Sequence, residues 1–62
     1  MYDIYKALRD AHELSDYRVA KDTGIPYSTL KDWAKGIYTP KVDKIQKLAD
    51  YFGVSLSFFY GG

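Results

Sequence analysis

The fold is decided by residues 15–36, Ser15-Asp-Tyr-Arg-Val-Ala-Lys-Asp-Thr-Gly-Ile-Pro-Tyr-Ser-Thr-Leu-Lys-Asp-Trp-Ala-Lys-Gly36. This stretch predicts two short helices joined by a turn at Gly24, because glycine readily adopts the positive φ of a sharp helix exit. Ala20 is small where the two helices must approach each other closely. Ile25 and Leu30 are expected to face back onto the first helix. The rest of the chain must then supply a core for this helix pair.

Length and composition limit what the chain can be. With 62 residues it has room for one domain, 1–62, and a chain of this size buries only about 60% of its unfolded surface. Cysteine is absent, which excludes disulfides and thiolate metal sites, so a 47% apolar share must form a dense core. No apolar run approaches the roughly 20 residues of a membrane span, and the N-terminal residues lack the order of a signal peptide. We therefore expect a cytoplasmic protein with no membrane partner.

The positive charge is concentrated in the middle of the chain. The formal net charge is only +1, but residues 31–47 carry five lysines against two aspartates, a net charge of +3. Residues 1–30 and residues 48–62 each carry a net charge of −1. This distribution is compatible with a nucleic-acid partner, although a solvated lysine-rich surface has the same composition.

Hydrophobic spacing predicts an all-α bundle of five short helices. The expected ranges are 3–11, 16–23, 26–35, 42–52 and 56–60. The first helix should bury Ile4, Leu8 and Ala11, and the fourth should bury a stripe that begins at Val42. Ser15 and Ser55 are good N-caps for the second and fifth helices. No segment alternates with a period of two residues, so we predict no strand.

Two separated groups of residues agree with one known pattern in order and spacing. The first group is Val19-Ala20, Gly24-Ile25, Ser28-Thr29-Leu30, Trp33, Gly36 and Thr39-Pro40. The second is the run Lys44-Ile-Gln-Lys-Leu-Ala-Asp-Tyr-Phe-Gly-Val-Ser-Leu56. Over nearly its whole length the chain therefore resembles the phage-repressor and Cro (lambda-repressor-like) helix-turn-helix family. The resemblance implies a five-helix bundle that binds operator DNA and often dimerises through its C-terminal end.

Two positions depart from the family's pattern. Many members carry an acidic residue at the position of Ala34, where it pairs with an arginine of the first helix. Arg9 should lack that partner, which leaves it free for phosphate or for another carboxylate such as Asp10 or Glu13. Members also often carry an amide at the position of Asp16 that contacts phosphate, and a carboxylate there would repel the DNA backbone.

The second motif helix should bring its N-terminal end to base edges in the major groove. The candidates for base contact are Tyr27, Ser28, Lys31 and Asp32. Lys31 can donate to guanine, Tyr27 can pack on a thymine methyl group, and Asp32 can accept from cytosine N4. For each residue the alternative is an ordinary solvated helix surface. The candidates for phosphate contact are Ser15, Arg18, Thr29, Lys35, Tyr38, Thr39 and Lys41.

Three consecutive aromatic residues, Phe58, Phe59 and Tyr60, lie near the C-terminal end. They cannot all face inward from one short helix, so we predict that the surplus forms a dimer interface. The alternative is that two of them complete the core and one lies flat on the surface.

Nothing in the sequence supports an enzyme. His12 is the only histidine, and without cysteine it does not make a zinc site. Together with Ser15 and Asp16 it has the residue types of a hydrolase triad, but no pocket scaffold accompanies them. We therefore predict no catalytic residues, no metal, no cofactor and no small-molecule ligand.

These observations predict a sequence-specific regulator of transcription that binds double-stranded DNA. We expect a repressor of bacterial or phage origin that reads an inverted-repeat operator with helix 27–35. Two copies would associate as a weak homodimer or only on the DNA. The alternative is the same fold used as a protein-interaction module, such as an antitoxin, adaptor or inhibitor. The modest net charge and the acidic Asp16 and Asp32 leave that alternative open.

Overall fold

The computed structural model describes residues 1–61, and this part of the chain contains five α-helices and no strand. The helices are α1 (Tyr2–Ala11), α2 (Asp16–Thr23), α3 (Tyr27–Ala34), α4 (Val42–Phe52) and α5 (Leu56–Phe59). The predicted all-α class with five short helices is therefore confirmed. The bounds of α2 and α4 are those predicted, and the other helices differ by one residue at one or both ends. Within the described part, no helix is both long and apolar enough to cross a membrane.

The turn between α2 and α3 is held by short-range hydrogen bonds. Gly24 adopts a φ of 80°, and its backbone N–H donates to the carbonyl of Ala20 at 2.9 Å. The Thr23 hydroxyl donates to the carbonyl of Val19 at 2.7 Å and accepts from the backbone N–H of Ile25 at 3.2 Å. These bonds fix the angle at which α3 leaves α2, and this angle determines which face of α3 reaches solvent.

The two predicted serine caps behave differently. The Ser15 hydroxyl accepts from the backbone N–H of Arg18 at 3.1 Å, so its predicted capping role is confirmed. Ser55 precedes α5 but its side chain makes no capping bond. Its hydroxyl instead lies 3.1 Å from that of Ser57. The prediction that Ser55 caps α5 is therefore wrong, because the neighbouring hydroxyl competes for it.

The core is formed by residues from all five helices and from the α2–α3 turn. Its buried members are Tyr5, Val19, Ala20, Ile25, Leu30, Trp33, Ile45, Leu48, Ala49, Phe52 and Phe59. The Tyr5 ring is fully buried and stacks on Trp33, with ring centroids 5.3 Å apart and an interplanar angle of 24°. This contact joins α1 to α3 through aromatic surface.

The predicted buried face of α1 is correct in part, since Ile4 and Leu8 pack against the core, but it left out Tyr5 and wrongly included Ala11. Tyr5 is buried, whereas Ile4 and Leu8 are only half-buried and Ala11 is exposed. The physical reason is that an amphipathic tyrosine can bury its ring when its hydroxyl finds a partner, and Tyr5 has one in α2. The prediction that Val42 is buried is also wrong, because this first residue of α4 is 56% exposed.

The C-terminal aromatic residues divide between core and surface. Phe59 is 1% exposed and belongs to the core, so its assignment to a dimer interface is wrong. Phe58 and Tyr60 are 43% and 55% exposed. A helix of four residues directs one side toward α4, and that side is occupied by Phe59 and the half-buried Leu56. One aromatic residue therefore completes the core and two remain at the surface.

Candidate nucleic-acid interface

The helix α3 is anchored by apolar residues on one side and presents polar residues on the other. Leu30 and Trp33 are 0% and 5% exposed and fix α3 against the core. On the opposite side Tyr27 is 46% exposed, and Ser28 is also exposed. The other two candidates for base contact, Lys31 and Asp32, are half-buried. The structure thus places all four predicted residues on α3, with the most accessible ones in its first turn.

A buried carboxylate connects this helix to α1. Asp16, at the start of α2, is only 8% exposed. Its Oδ1 accepts from the Tyr5 hydroxyl at 2.6 Å and from Arg9 Nη1 at 2.9 Å. Its Oδ2 lies 3.2 Å from Lys31 Nζ. We call these four residues, Tyr5, Arg9, Asp16 and Lys31, the Asp16 cluster.

The Asp16 cluster corrects two expectations and confirms a third. Asp16 is not an exposed charge facing the DNA backbone, because its carboxylate is buried and pairs with two cations, Arg9 and Lys31. Arg9 does not lack an acidic partner inside the fold, since Asp16 fills that role from α2. Of the alternatives left open for Arg9, the pairing with Asp10 is confirmed at 2.9 Å. The missing acidic residue at Ala34 is therefore compensated from a different helix.

The hydrogen bonds of the cluster determine its charge. Burial alone would raise the pKa of Asp16, but hydrogen bonds from Tyr5, Arg9 and Lys31 outweigh it and hold that pKa below its ordinary value. The bond to Asp16 raises the pKa of Arg9 and of Lys31, so both remain cations. Burial, followed by the bond to Asp16, raises the pKa of Tyr5 far above its usual range. At neutral pH one carboxylate and two cations give the cluster a net charge of +1.

Lys31 also contacts the neighbouring candidate on α3. Its Nζ lies 5.2 Å from the centroid of the Tyr27 ring, within the range of a cation–π interaction. The Lys31 ammonium is therefore positioned from two sides, by the Asp16 carboxylate and by an aromatic face. The Tyr27 contact is local, since the two residues lie four apart on α3, whereas the Asp16 contact depends on how α2 and α3 cross and no spacing in the sequence indicates it.

The candidates for phosphate contact are placed less uniformly. Ser15 is engaged as a cap, and Arg18 Nε donates to Asp22 Oδ2 at 2.8 Å from an exposed position. Thr29 is half-buried. The remaining candidates are exposed in or after the last turn of α3, and they are Lys35, Tyr38, Thr39 and Lys41. In the described range, neither Lys35 nor Lys41 has a carboxylate within ion-pair distance.

A shallow, open depression of about 360 Å³ lies between α2 and α4. It is lined by Asp22, Thr23, Lys47, Asp50 and Tyr51. The Tyr51 hydroxyl donates to Asp22 Oδ2 at 2.6 Å, so much of its polar surface is already paired. Over residues 1–61, no group of three histidine, aspartate or glutamate side chains is arranged to hold a metal ion. The polar face of α3 is therefore the stronger candidate for a functional site.

Sequence reasoning missed Tyr5 and the structural role of Asp16. A signal was present, because Tyr5 and Arg9 are four residues apart and therefore share one face of α1. The predicted buried face of the first helix contained only Ile4, Leu8 and Ala11, so it did not include Tyr5.

A family model described as helix-turn-helix matches residues 6–59. The match extends from within α1 to the end of α5 and includes all of α2, α3 and α4. Comparison with curated proteins and with solved structures gave no match.

Proposed function

Because the chain belongs to the helix-turn-helix family of the phage-repressor and Cro type, we propose that it is a sequence-specific regulator of transcription that reads double-stranded DNA with α3. The observation that carries this proposal is the exposed polar face of α3. Tyr27 and Ser28 lie in its first turn and Lys31 lies one turn further on, and buried Leu30 and Trp33 hold the helix rigidly from behind. In a helix-turn-helix, this end of the second helix contacts base edges in the major groove.

The residues that follow would contact the DNA backbone. Lys35, Thr39 and Lys41 are exposed where α3 ends and the chain turns toward α4. The start of α4 has no side-chain cap, so its first backbone N–H groups can receive an anion. Contacts of this kind fix the register of the protein on the duplex without reading sequence.

We further propose that two copies act together as a repressor of bacterial or phage type. A symmetric pair would place two α3 helices about 34 Å apart on an inverted repeat and occlude a promoter. Phe58 and Tyr60 are the exposed apolar residues offered for the contact between copies. The pair can form in solution as a weak homodimer or only on the operator.

A salt titration of binding to duplex DNA tests the proposal. Sequences are first selected from a random duplex pool, and the dissociation constant is then measured by fluorescence anisotropy between about 50 and 200 mM salt. Each neutralised phosphate should contribute about −0.9 to the slope of log K against log salt. An affinity that does not fall as salt rises would refute DNA binding through the backbone.

Two alanine variants separate base contact from phosphate contact. Lys31→Ala should reduce discrimination at one base position, by about fivefold to a hundredfold. Lys35→Ala should weaken binding to all sequences equally and make the salt slope shallower by about one. Lys47→Ala, in the depression between α2 and α4, is the charge-matched control. If neither Lys31→Ala nor Lys35→Ala alters DNA binding, α3 is not the reader, and the antitoxin, adaptor or inhibitor alternative gains support.

A further inference from the structure

We propose that Asp16 is a specificity-determining residue that acts through Lys31 without touching DNA. The carboxylate of Asp16 and the ring of Tyr27 hold the Lys31 ammonium between them, so that α3 presents it to the major groove in one orientation. This inference rests on the proposed function of α3 and adds a positioning residue to it from the start of α2.

The first support is that the Asp16 carboxylate itself cannot turn. Tyr5, which donates to Oδ1 at 2.6 Å, is 0% exposed and packed on Trp33. Arg9 donates to the same oxygen, and its side chain is only 15% exposed. With Oδ1 bound twice by buried or nearly buried groups, Oδ2 is fixed in the direction of Lys31.

The second support is that Lys31 is not needed to neutralise Asp16. Arg9 and Lys6 together balance the charges of Asp16 and Asp10, since Arg9 pairs with both carboxylates and Lys6 lies 3.1 Å from Asp10. The Lys31 contact is therefore an additional cation on a balanced site. Its side chain is 44% exposed, so the ammonium is held from within while remaining accessible from outside. An ammonium has three N–H donors, and the contacts to Asp16 and Tyr27 leave at least one for a base.

The third support concerns what a free lysine would do. An unrestrained lysine on a DNA-facing helix can pair with any nearby phosphate, because phosphate contacts carry no sequence information. A lysine ordered before binding loses less side-chain freedom when it contacts a base. Removing the Asp16 carboxylate should therefore lower base discrimination while leaving non-specific affinity equal or higher.

The chain offers a charge-matched control for this test in Asp10, which is exposed and also pairs with Lys6, whereas Asp16 is buried. Asp10 and Asp16 both bond to Arg9, at 2.9 Å in each case, but only Asp16 contacts Lys31. Asp10→Asn and Asp16→Asn therefore remove the same charge and the same kind of Arg9 partner. Binding of wild type, both variants, Lys31→Ala and the Asp16→Asn/Lys31→Ala double variant is measured on the selected duplex and on its single-base-pair changes. Circular dichroism confirms that each protein is folded.

Asp16→Asn should lower discrimination by about fivefold or more at the base position affected by Lys31→Ala. Asp10→Asn should leave that position within about twofold of wild type, since Lys31 stays anchored. The double variant should discriminate no worse than Lys31→Ala alone, because Asp16 acts only through Lys31. A nitrogen-15 NMR spectrum of the free protein provides a readout without DNA. The Lys31 ammonium should be hydrogen-bonded in wild type and Asp10→Asn and released in Asp16→Asn.

Several outcomes would overturn the inference. The first is an Asp16→Asn variant that discriminates between base pairs as well as wild type does. The second is a further loss of discrimination when Asp16→Asn is added to Lys31→Ala. The third is an Asp16→Asn variant that binds the selected duplex more tightly with its discrimination intact. If Asp16→Asn fails to fold, Asp16→Glu keeps a charge for Arg9 but displaces the carboxylate by one bond, and it should show the same loss. Failure of the proposed function is a separate result, seen as salt-independent binding by the wild type itself.

Discussion

The hydroxyl of Tyr5 allows the energetics of the Asp16 cluster to be tested by removing a single atom. Tyr5→Phe keeps the ring that stacks on Trp33 at 5.3 Å and deletes the donor that reaches Asp16 Oδ1 at 2.6 Å. The apolar surface buried in the core is unchanged, so any loss of stability comes from the hydrogen bond. A bond to a charged acceptor contributes about 1.5–3 kcal/mol. In this variant Arg9 still donates to Asp16 Oδ1, so we expect a loss of stability at the lower end of that range, about 1.5–2 kcal/mol.

The size of the domain makes this loss easy to detect. In a domain of about 60 to 100 residues, 1 kcal/mol shifts the melting temperature by about 4–8 °C. A chain of 62 residues lies at the sensitive end of that range, so Tyr5→Phe should melt roughly 10 °C or more below wild type. Thermal unfolding followed by circular dichroism measures the shift, and urea unfolding gives the free energy independently.

A second tyrosine in the same chain provides the control. The Tyr51 hydroxyl donates to Asp22 Oδ2, also at 2.6 Å, but this bond is exposed. Water can replace an exposed partner, so Tyr51→Phe should change stability much less than Tyr5→Phe. Equal losses in the two variants would refute the argument that burial gives the Asp16 cluster its strength. So would a Tyr5→Phe variant as stable as wild type.

Three further predictions concern the turn, the buried carboxylate and the C-terminal aromatic residues. Gly24→Ala should destabilise the fold by about 1–2 kcal/mol in urea unfolding, because Gly24 has a φ of 80°, which strains any residue with a Cβ. An added Cβ would meet no atom within 4 Å, so the loss comes from the backbone alone. The pKa of Asp16 is lower in the folded protein than in the unfolded chain, where it is about 3.9. The ionised Asp16 therefore stabilises the fold at pH values above about 3.9, and this contribution is lost as pH falls through the folded pKa. Urea unfolding at several pH values should show this loss in wild type and a flatter profile in Asp16→Asn. Phe58→Ser with Tyr60→Ser should reduce self-association in sedimentation while leaving the fold intact, and a wild type that is monomeric with and without DNA would refute that interface.

The helices could be predicted from sequence because their determinants are local. Apolar spacing located α2 and α4 to the residue, and Ser15 and Gly24 mark the beginning and end of α2 through bonds that span at most four positions. The two motif groups identified the family because they record the spacing of whole helices. The helix limits depend on residues within one or two turns of one another, and the motif groups depend on the order of helices along the chain.

The contacts of the candidate site could not be predicted in the same way. Tyr5, Asp16 and Lys31 come from three helices, and no spacing in the sequence records that they meet. The orientation of the C-terminal aromatic residues depends on how α5 packs on α4, which neighbouring residues do not determine. A residue with an apolar body and a polar tip, such as Tyr5, is also ambiguous until its partner is known.

The Asp16 cluster explains how this chain departs from its family's pattern and keeps the fold. In many members the arginine of the first helix pairs with an acidic residue at the position of Ala34. Here Arg9 pairs instead with Asp16, on the helix that precedes α3. From α2 the same carboxylate also reaches a second cation, Lys31 on α3. One buried acid therefore links the stability of α1 to the position of a lysine on α3, and a substitution at Asp16 should alter both together.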